Sequence, residues 1–170
     1  EDMENKIEDI LKAYVHFTPI FIDFLASKEL EEKLYDAFIE KDEVKIRSLS
    51  EEMIEFTTDS RYKLKNLPLY KEDTTLLYEF ENIMNYHLKE VKEIIPQMMV
   101  FNQNQIDFDN AKKAFEKRQE TEKLTPDDYD AMDIKVLEIN ESNFNYNIMY
   151  VNYLEDRNLS MIHFTSVLHH

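Results

Sequence analysis

Apolar residues recur at Met3, Ile7, Ile10, Tyr14, Phe17, Phe21 and Phe24, in alternating steps of four and three that predict the seam of a packed helix. Pro19 falls inside this pattern and lacks a backbone N–H, so a kink is expected there. Ser27 reads as the cap of a second, shorter helix with Leu30, Leu34, Ala37 and Phe38 on its inner face. Lys41-Asp42 is a tight break, and Asp42 caps a helix with the stripe Ile46, Leu49, Met53, Phe56, Ser60, Leu64 and Leu67. That helix stops at Asn66-Leu67-Pro68, where Asn66 is expected in the left-handed conformation that glycine usually supplies.

Asp73 or Thr74 opens the longest segment. Phe80, Met84, His87, Val91, Ile94, Met98, Phe101 and Phe108 keep the same rhythm, with Gln105 at one seam position. Pro96 and the polar run Asn102 to Gln105 argue for a kink, and one bent helix over 74–121 is predicted. Thr125-Pro126-Asp127-Asp128 supplies an N-cap, a proline in the first helical turn and acidic residues beside it.

The helix that follows carries a seam of Tyr129, Met132, Val136, Ile139, Asn143, Tyr146, Tyr150 and Tyr153. A second stripe, Ile134, Leu137, Phe144, Ile148 and Val151, lies on another face. A helix that is apolar on two faces is expected to be enclosed by several neighbours, so this one is placed centrally. It is expected to end near Asp156-Arg157-Asn158, leaving 158–170 as a docking tail or, given His169 and His170, the remnant of a tag. The pattern therefore predicts a single all-α domain over 1–170: an elongated up-and-down helical bundle of about four to five helices, kinked at Pro19 and Pro96.

Composition narrows the chemistry. The chain contains no glycine, where average usage would place roughly a dozen. Phosphate-cradling loops and dinucleotide fingerprints need glycine, so neither can be present. Cysteine is also absent, which removes disulfides, thiol nucleophiles and zinc-thiolate sites. The net charge is −16 and uneven: residues 1–60 hold 17 acidic and 7 basic side chains, 61–123 hold 11 of each, and 124–170 hold 8 and 2. Such a surface repels nucleic acid and anionic lipid and favours a protein partner with a basic surface. The basic clusters at Arg61, Lys63, Lys65 and Lys71 and at Lys112, Lys113, Lys117 and Arg118 are expected to neutralise neighbouring acidic helices. No uninterrupted run reaches the ~18 apolar residues of a bilayer span, so no transmembrane segment is expected. Since the sequence starts at Glu1, a leader or lipidated anchor upstream is part of the reading.

Candidate chemistry is sparse. Two-metal bundle sites use Glu-x-x-His, whereas His87 precedes Glu90 and Glu93 in the reverse order, and His16 has no carboxylate at the matching spacings. No metal, cofactor or catalytic residue is expected. Asp23, between Ile22 and Phe24, is placed near the rim of its helix, and the pairs Glu31/Glu32 and Glu51/Glu52 on solvated faces. Asn143 and Tyr146 read as seam residues that fix helix register. The expected interaction surface comprises Asn140, Asn147, Tyr150 and Tyr153 with Glu31 and Glu32.

The leading functional expectation is a non-catalytic acidic interaction protein, exported or surface-anchored, of the kind of a lipoprotein ectodomain or a toxin-neutralising immunity protein. A cytoplasmic setting is the alternative. Two competing readings are an enzyme or carrier with a buried site near His87, Tyr146 and Tyr150, and an assembly protein that oligomerises through the second stripe of the 126–157 helix.

Overall fold

Without glycine and with only four prolines, little in the chain interrupts helix formation. The computed structural model describes residues 2–71, 73–121 and 123–168. It contains α1 (Asp2–Ile39), α2 (Glu43–Lys65), α3 (Thr75–Lys89), α4 (Ile95–Thr121) and α5 (Pro126–Leu168). A π-helical turn, Glu90–Ile94, joins α3 to α4 without a loop, so four helices result among the described residues and the fold is an all-α helical bundle. The expected single helix over 74–121 is therefore present from 75 to 121, in three consecutive helical segments. Its irregular turn lies directly before Pro96, whose missing N–H cannot bond back to the preceding turn. Pro19, in contrast, sits within the continuous helix α1. Contacts divide the chain into two compact units, one of residues 1–92 with 156–170 and one of 93–155.

In the first unit α1, α2 and α3 pack on one another. The core gathers Ile20, Leu64, Leu76, Phe80, Ile83 and Met84 around Phe164 from the C-terminal end of α5. Phe164 is fully buried, 4.5 Å from Phe24 and 6.2 Å from Phe80 between ring centroids. The α2 and α3 stripes face inward as patterned: Ile46, Met53, Ser60, Leu64, Phe80, Met84 and His87 are all buried.

Three expectations are corrected in this unit. Ser27 does not start a second helix; its hydroxyl donates to the Phe24 carbonyl at 2.8 Å within unbroken α1, the back-bonding open to a helical serine. The α1 seam is turned over: Met3, Ile7, Ile10, Tyr14, Phe17 and Phe21 are exposed, while His16, Ile20, Asp23, Ser27, Leu30, Leu34 and Ala37 face inward. The inward polar groups have partners, which lets this face be the buried one. The α5 helix also runs through Asp156-Arg157-Asn158 to Leu168, so no separate tail begins at 158; His169 and His170 lie outside the described residues.

Helix ends are managed without glycine. Asp42 caps α2 by accepting from the Lys45 backbone N–H at 3.0 Å, as expected. Asn66 is not left-handed, with φ −98°. Among the described residues, the positive-φ positions are Lys41 (φ 57°) and Lys71 (φ 51°).

In the second unit α4 and the first part of α5 run antiparallel. Gln105 donates to Asn143 Oδ1 at 2.5 Å, Phe101 stacks on Tyr146 with centroids 4.2 Å apart, and Phe115 meets Tyr129 edge-on at 5.4 Å. Asn143 and Tyr146 thus occupy the seam as expected. Thr125 and Asp128 form a reciprocal cap at the start of α5: the Thr125 N–H donates to Asp128 Oδ2 at 2.9 Å, and the Asp128 N–H donates to Thr125 Oγ1 at 3.4 Å. Those bonds, with Arg118 beside it, hold the Asp128 carboxyl below its ordinary range. The second stripe of α5 is not enclosed. Ile134, Leu137, Phe144, Ile148 and Val151 are all exposed, Phe144 by 65 %, because α4 covers only the seam.

Candidate functional site

Three ionisable side chains meet inside the first unit. His87, on the inward stripe of α3, and Glu90, opening the π turn, stand three residues apart and so share a helix face. Glu31 reaches them from the inward face of α1. His87 Nδ1 lies 3.5 Å from Glu90 Oε2 and 3.9 Å from Glu31 Oε2. All three residues are buried, at 2 % exposure for His87 and 1 % for each glutamate.

The fourth member comes from the far end of the chain. Arg157 on α5 donates through Nε and Nη2 to the same oxygen, Glu31 Oε1. Lys28 Nζ approaches the other oxygen, Oε2, at 3.7 Å. Among the described residues, three buried side-chain atoms have no hydrogen-bond partner: Glu31 Oε2, His87 Nε2 and Glu90 Oε1. Buried polar atoms are normally satisfied, and leaving one bare costs about 1–3 kcal/mol. Each of the three clustered residues thus carries one unsatisfied buried atom, which marks this cluster off from the other buried polar groups.

Other buried polar groups are settled. Asp23 is not at the rim but 5 % exposed, accepting from Ser60 Oγ at 2.6 Å and Lys63 Nζ at 2.8 Å. His16 Nδ1 bonds to the Pro68 carbonyl at 2.7 Å. Arg61 pairs with Glu81 and Lys71 with Asp9, so this basic cluster neutralises acidic helices as expected.

The expected interaction surface is not one set of exposed residues. Asn140, Asn147 and Glu32 are exposed and Tyr150 is half-buried, but Glu31 and Tyr153 are buried. The pairing of Glu31 with Glu32 as a solvated face is thereby corrected: one step along a helix turns the side chain by about 100°, enough to bury Glu31 and leave Glu32 in solvent. The expected grouping of His87 with Tyr146 and Tyr150 falls across both units; the tyrosines stack in the second, with centroids 5.9 Å apart. Burial there, with Tyr150 adjacent, raises the Tyr146 hydroxyl above its ordinary range.

Arg157 was missed as a cluster residue by pattern reading. One signal was available: it is one of two basic residues in 124–170 and stands in an otherwise apolar and acidic helix.

The outer face of α1 carries a run of exposed apolar side chains. Ile7, Ile10, Leu11, Tyr14, Ile22 and Leu25 are each at least half exposed, Ile10 by 67 %. By length and composition alone α1 is apolar enough to cross a membrane, a criterion that buried core helices and signal sequences also meet. No protein-family model, no curated protein and no solved structure matches this chain.

Proposed function

We propose that this is a non-catalytic helical interaction protein that docks a protein partner on the outer face of α1, the partner presenting an apolar stripe flanked by basic side chains. The observation that carries the reading is the reversal of the α1 seam: His16, Asp23 and Glu31 are taken inward and bonded, and the aliphatic stripe from Ile7 to Leu25 is left outside. Contiguous exposed apolar surface of this kind is uncommon on a monomer without a binding role. Charge selects the partner. Residues 1–60 carry 17 acidic and 7 basic side chains, which attracts a basic rim and repels anionic lipid. An exported or surface-anchored setting belongs to the same proposal and rests on the cysteine-free, acidic composition.

The test uses two designed amphipathic helical peptides with one apolar stripe, flanked by lysine in one and by glutamate in the other. Fluorescence anisotropy with the full chain is expected to show salt-sensitive binding of the lysine peptide only. Ile10→Glu with Tyr14→Glu, both exposed, should weaken it at least about tenfold with the circular dichroism unchanged. Equal binding of both peptides, or flotation of the chain with vesicles in place of peptide binding, overturns the reading.

A second reading has its own observation. The exposed stripe of α5, from Ile134 to Val151, suits self-assembly. Sedimentation velocity would then show an oligomer that Phe144→Glu dissociates.

A further inference from the structure

The geometry points to a divalent transition-metal site made by Glu31, His87 and Glu90, independent of the docking surface. Each residue offers one ligand atom, and these atoms lie within 4.8 Å of one another. Tetrahedral bonds of about 2.0–2.2 Å place neighbouring ligand atoms about 3.4 Å apart. The separations of 3.5 and 3.9 Å at His87 Nδ1 are within a small side-chain adjustment of that figure.

The donor set selects the class of ion. One imidazole with two carboxylates suits zinc, manganese or ferrous iron. Calcium and magnesium prefer all-oxygen shells, and cuprous copper prefers sulfur. Three protein ligands leave the fourth position open, the arrangement of an exchangeable or reactive site and not of a closed structural one.

The unsatisfied atoms support the assignment independently of the distances. Glu31 Oε2, which lies near His87 Nδ1, has no hydrogen-bond donor, and neither does Glu90 Oε1, the second oxygen of the carboxylate whose Oε2 lies 3.5 Å from that nitrogen. A bound cation supplies the positive charge they lack. Arg157 acts as a positioning residue: two of its nitrogens meet Glu31 at Oε1, while Oε2 of the same carboxylate lies 3.9 Å from His87 Nδ1. Ligating carboxylates are commonly oriented through such outer bonds. The π turn that begins at Glu90 departs from regular helix at the ligand itself, and single π turns often occur where a helix carries a site. Lys28, 3.7 Å from Glu31 Oε2, is the competing cation.

The experiment is calorimetric titration of the chelator-treated full chain with zinc chloride and with manganese chloride, repeated by cobalt absorption. One ion per chain at roughly micromolar affinity or tighter is expected, with a rise in the thermal midpoint. Glu90→Gln should weaken binding by about 10–100-fold. Lys28→Met, at a partly exposed position away from the core, should tighten it and keeps the test decisive if Glu90→Gln does not fold. A chain with His163→Gln, His169→Ala and His170→Ala should bind unchanged. The assignment is overturned by millimolar-only binding, by loss of binding in that triple variant, or by Glu90→Gln and Lys28→Met both titrating like the parent chain.

Discussion

The two units take polar groups into their interiors in different chemical forms. Around α1, α2 and α3 they include ionisable groups, His16, Asp23, Glu31, His87 and Glu90, beside the hydroxyls of Ser27, Thr57 and Ser60. Between α4 and α5 they are neutral amides and phenols, with Gln105 bonded to Asn143 and Tyr146 stacked against Phe101 and Tyr150. The amides sit half-buried on a hairpin, where any antiparallel pairing brings them face to face. Two of the carboxylates meet cations from residues distant in sequence: Arg157 reaches Glu31 across 126 positions, and Lys63 reaches Asp23 across 40. A charge network of this kind specifies which distant segments must meet. An amide pair specifies only the register of two helices that are already neighbours.

The difference is broken most directly at Arg157. Arg157→Met removes the guanidinium and leaves the Glu31 carboxylate buried, with Lys28 as its nearest cation. Loss of one partner of a buried pair costs about 3–5 kcal/mol, and urea denaturation should show a shift of that size. Adding Glu31→Leu removes the stranded charge and should recover most of the loss. A single substitution costing under about 1 kcal/mol would mean the pair behaves as a surface bridge, and the contrast between the units would fail.

The amide pair sharpens the comparison with a smaller effect. Gln105→Leu or Asn143→Leu alone leaves one amide facing a methyl group and should cost about 1 kcal/mol. The double leucine variant should return close to the parent stability, since both polar groups leave the half-buried seam together. If the double variant instead loses as much as Arg157→Met, the amides contribute more than register.

What could be read from sequence follows the same division. The inward stripes of α2 and of the α3–α4 helix were legible because their apolar positions are also their buried ones, from Ile46 to Leu64 and from Phe80 to Met98. The α1 periodicity correctly grouped Ile7, Ile10, Tyr14 and Phe17 on one face, but periodicity does not say which face turns inward. That choice depended on His16, Asp23 and Glu31 finding Pro68, Ser60, Lys63 and Arg157, pairings set by tertiary contact. His87 was legible as a seam residue and Glu90 as its neighbour at the next turn. Glu31 was hidden by its exposed neighbour Glu32, and Arg157 by an acidic-looking break that the helix in fact crosses.

The smallest effect concerns how a chain without glycine turns. At the end of α1 the Asp42 N–H bonds to the Ala37 carbonyl at 3.0 Å and the Lys41 N–H to the Phe38 carbonyl at 3.1 Å. This pair of bonds forms a Schellman cap with Lys41 at the position where glycine is preferred. A side chain there carries a steric penalty of about 1–2 kcal/mol, against which glycine loses roughly 0.5–1 kcal/mol more backbone freedom on folding. Lys41→Gly should therefore stabilise the first unit by about 0.5–1 kcal/mol, visible as a raised denaturation midpoint at constant slope. Lys71→Gly should gain less, because it also removes the Lys71 ammonium from Asp9, at 3.8 Å, and from above the Tyr70 ring, at 5.0 Å. A loss at Lys41 would show that its left-handed backbone is relaxed in this context. The exclusion of glycine would then have no stability penalty at either unit's helix ends, and the contrast between charged and neutral interiors would stand as the main cost carried by the fold.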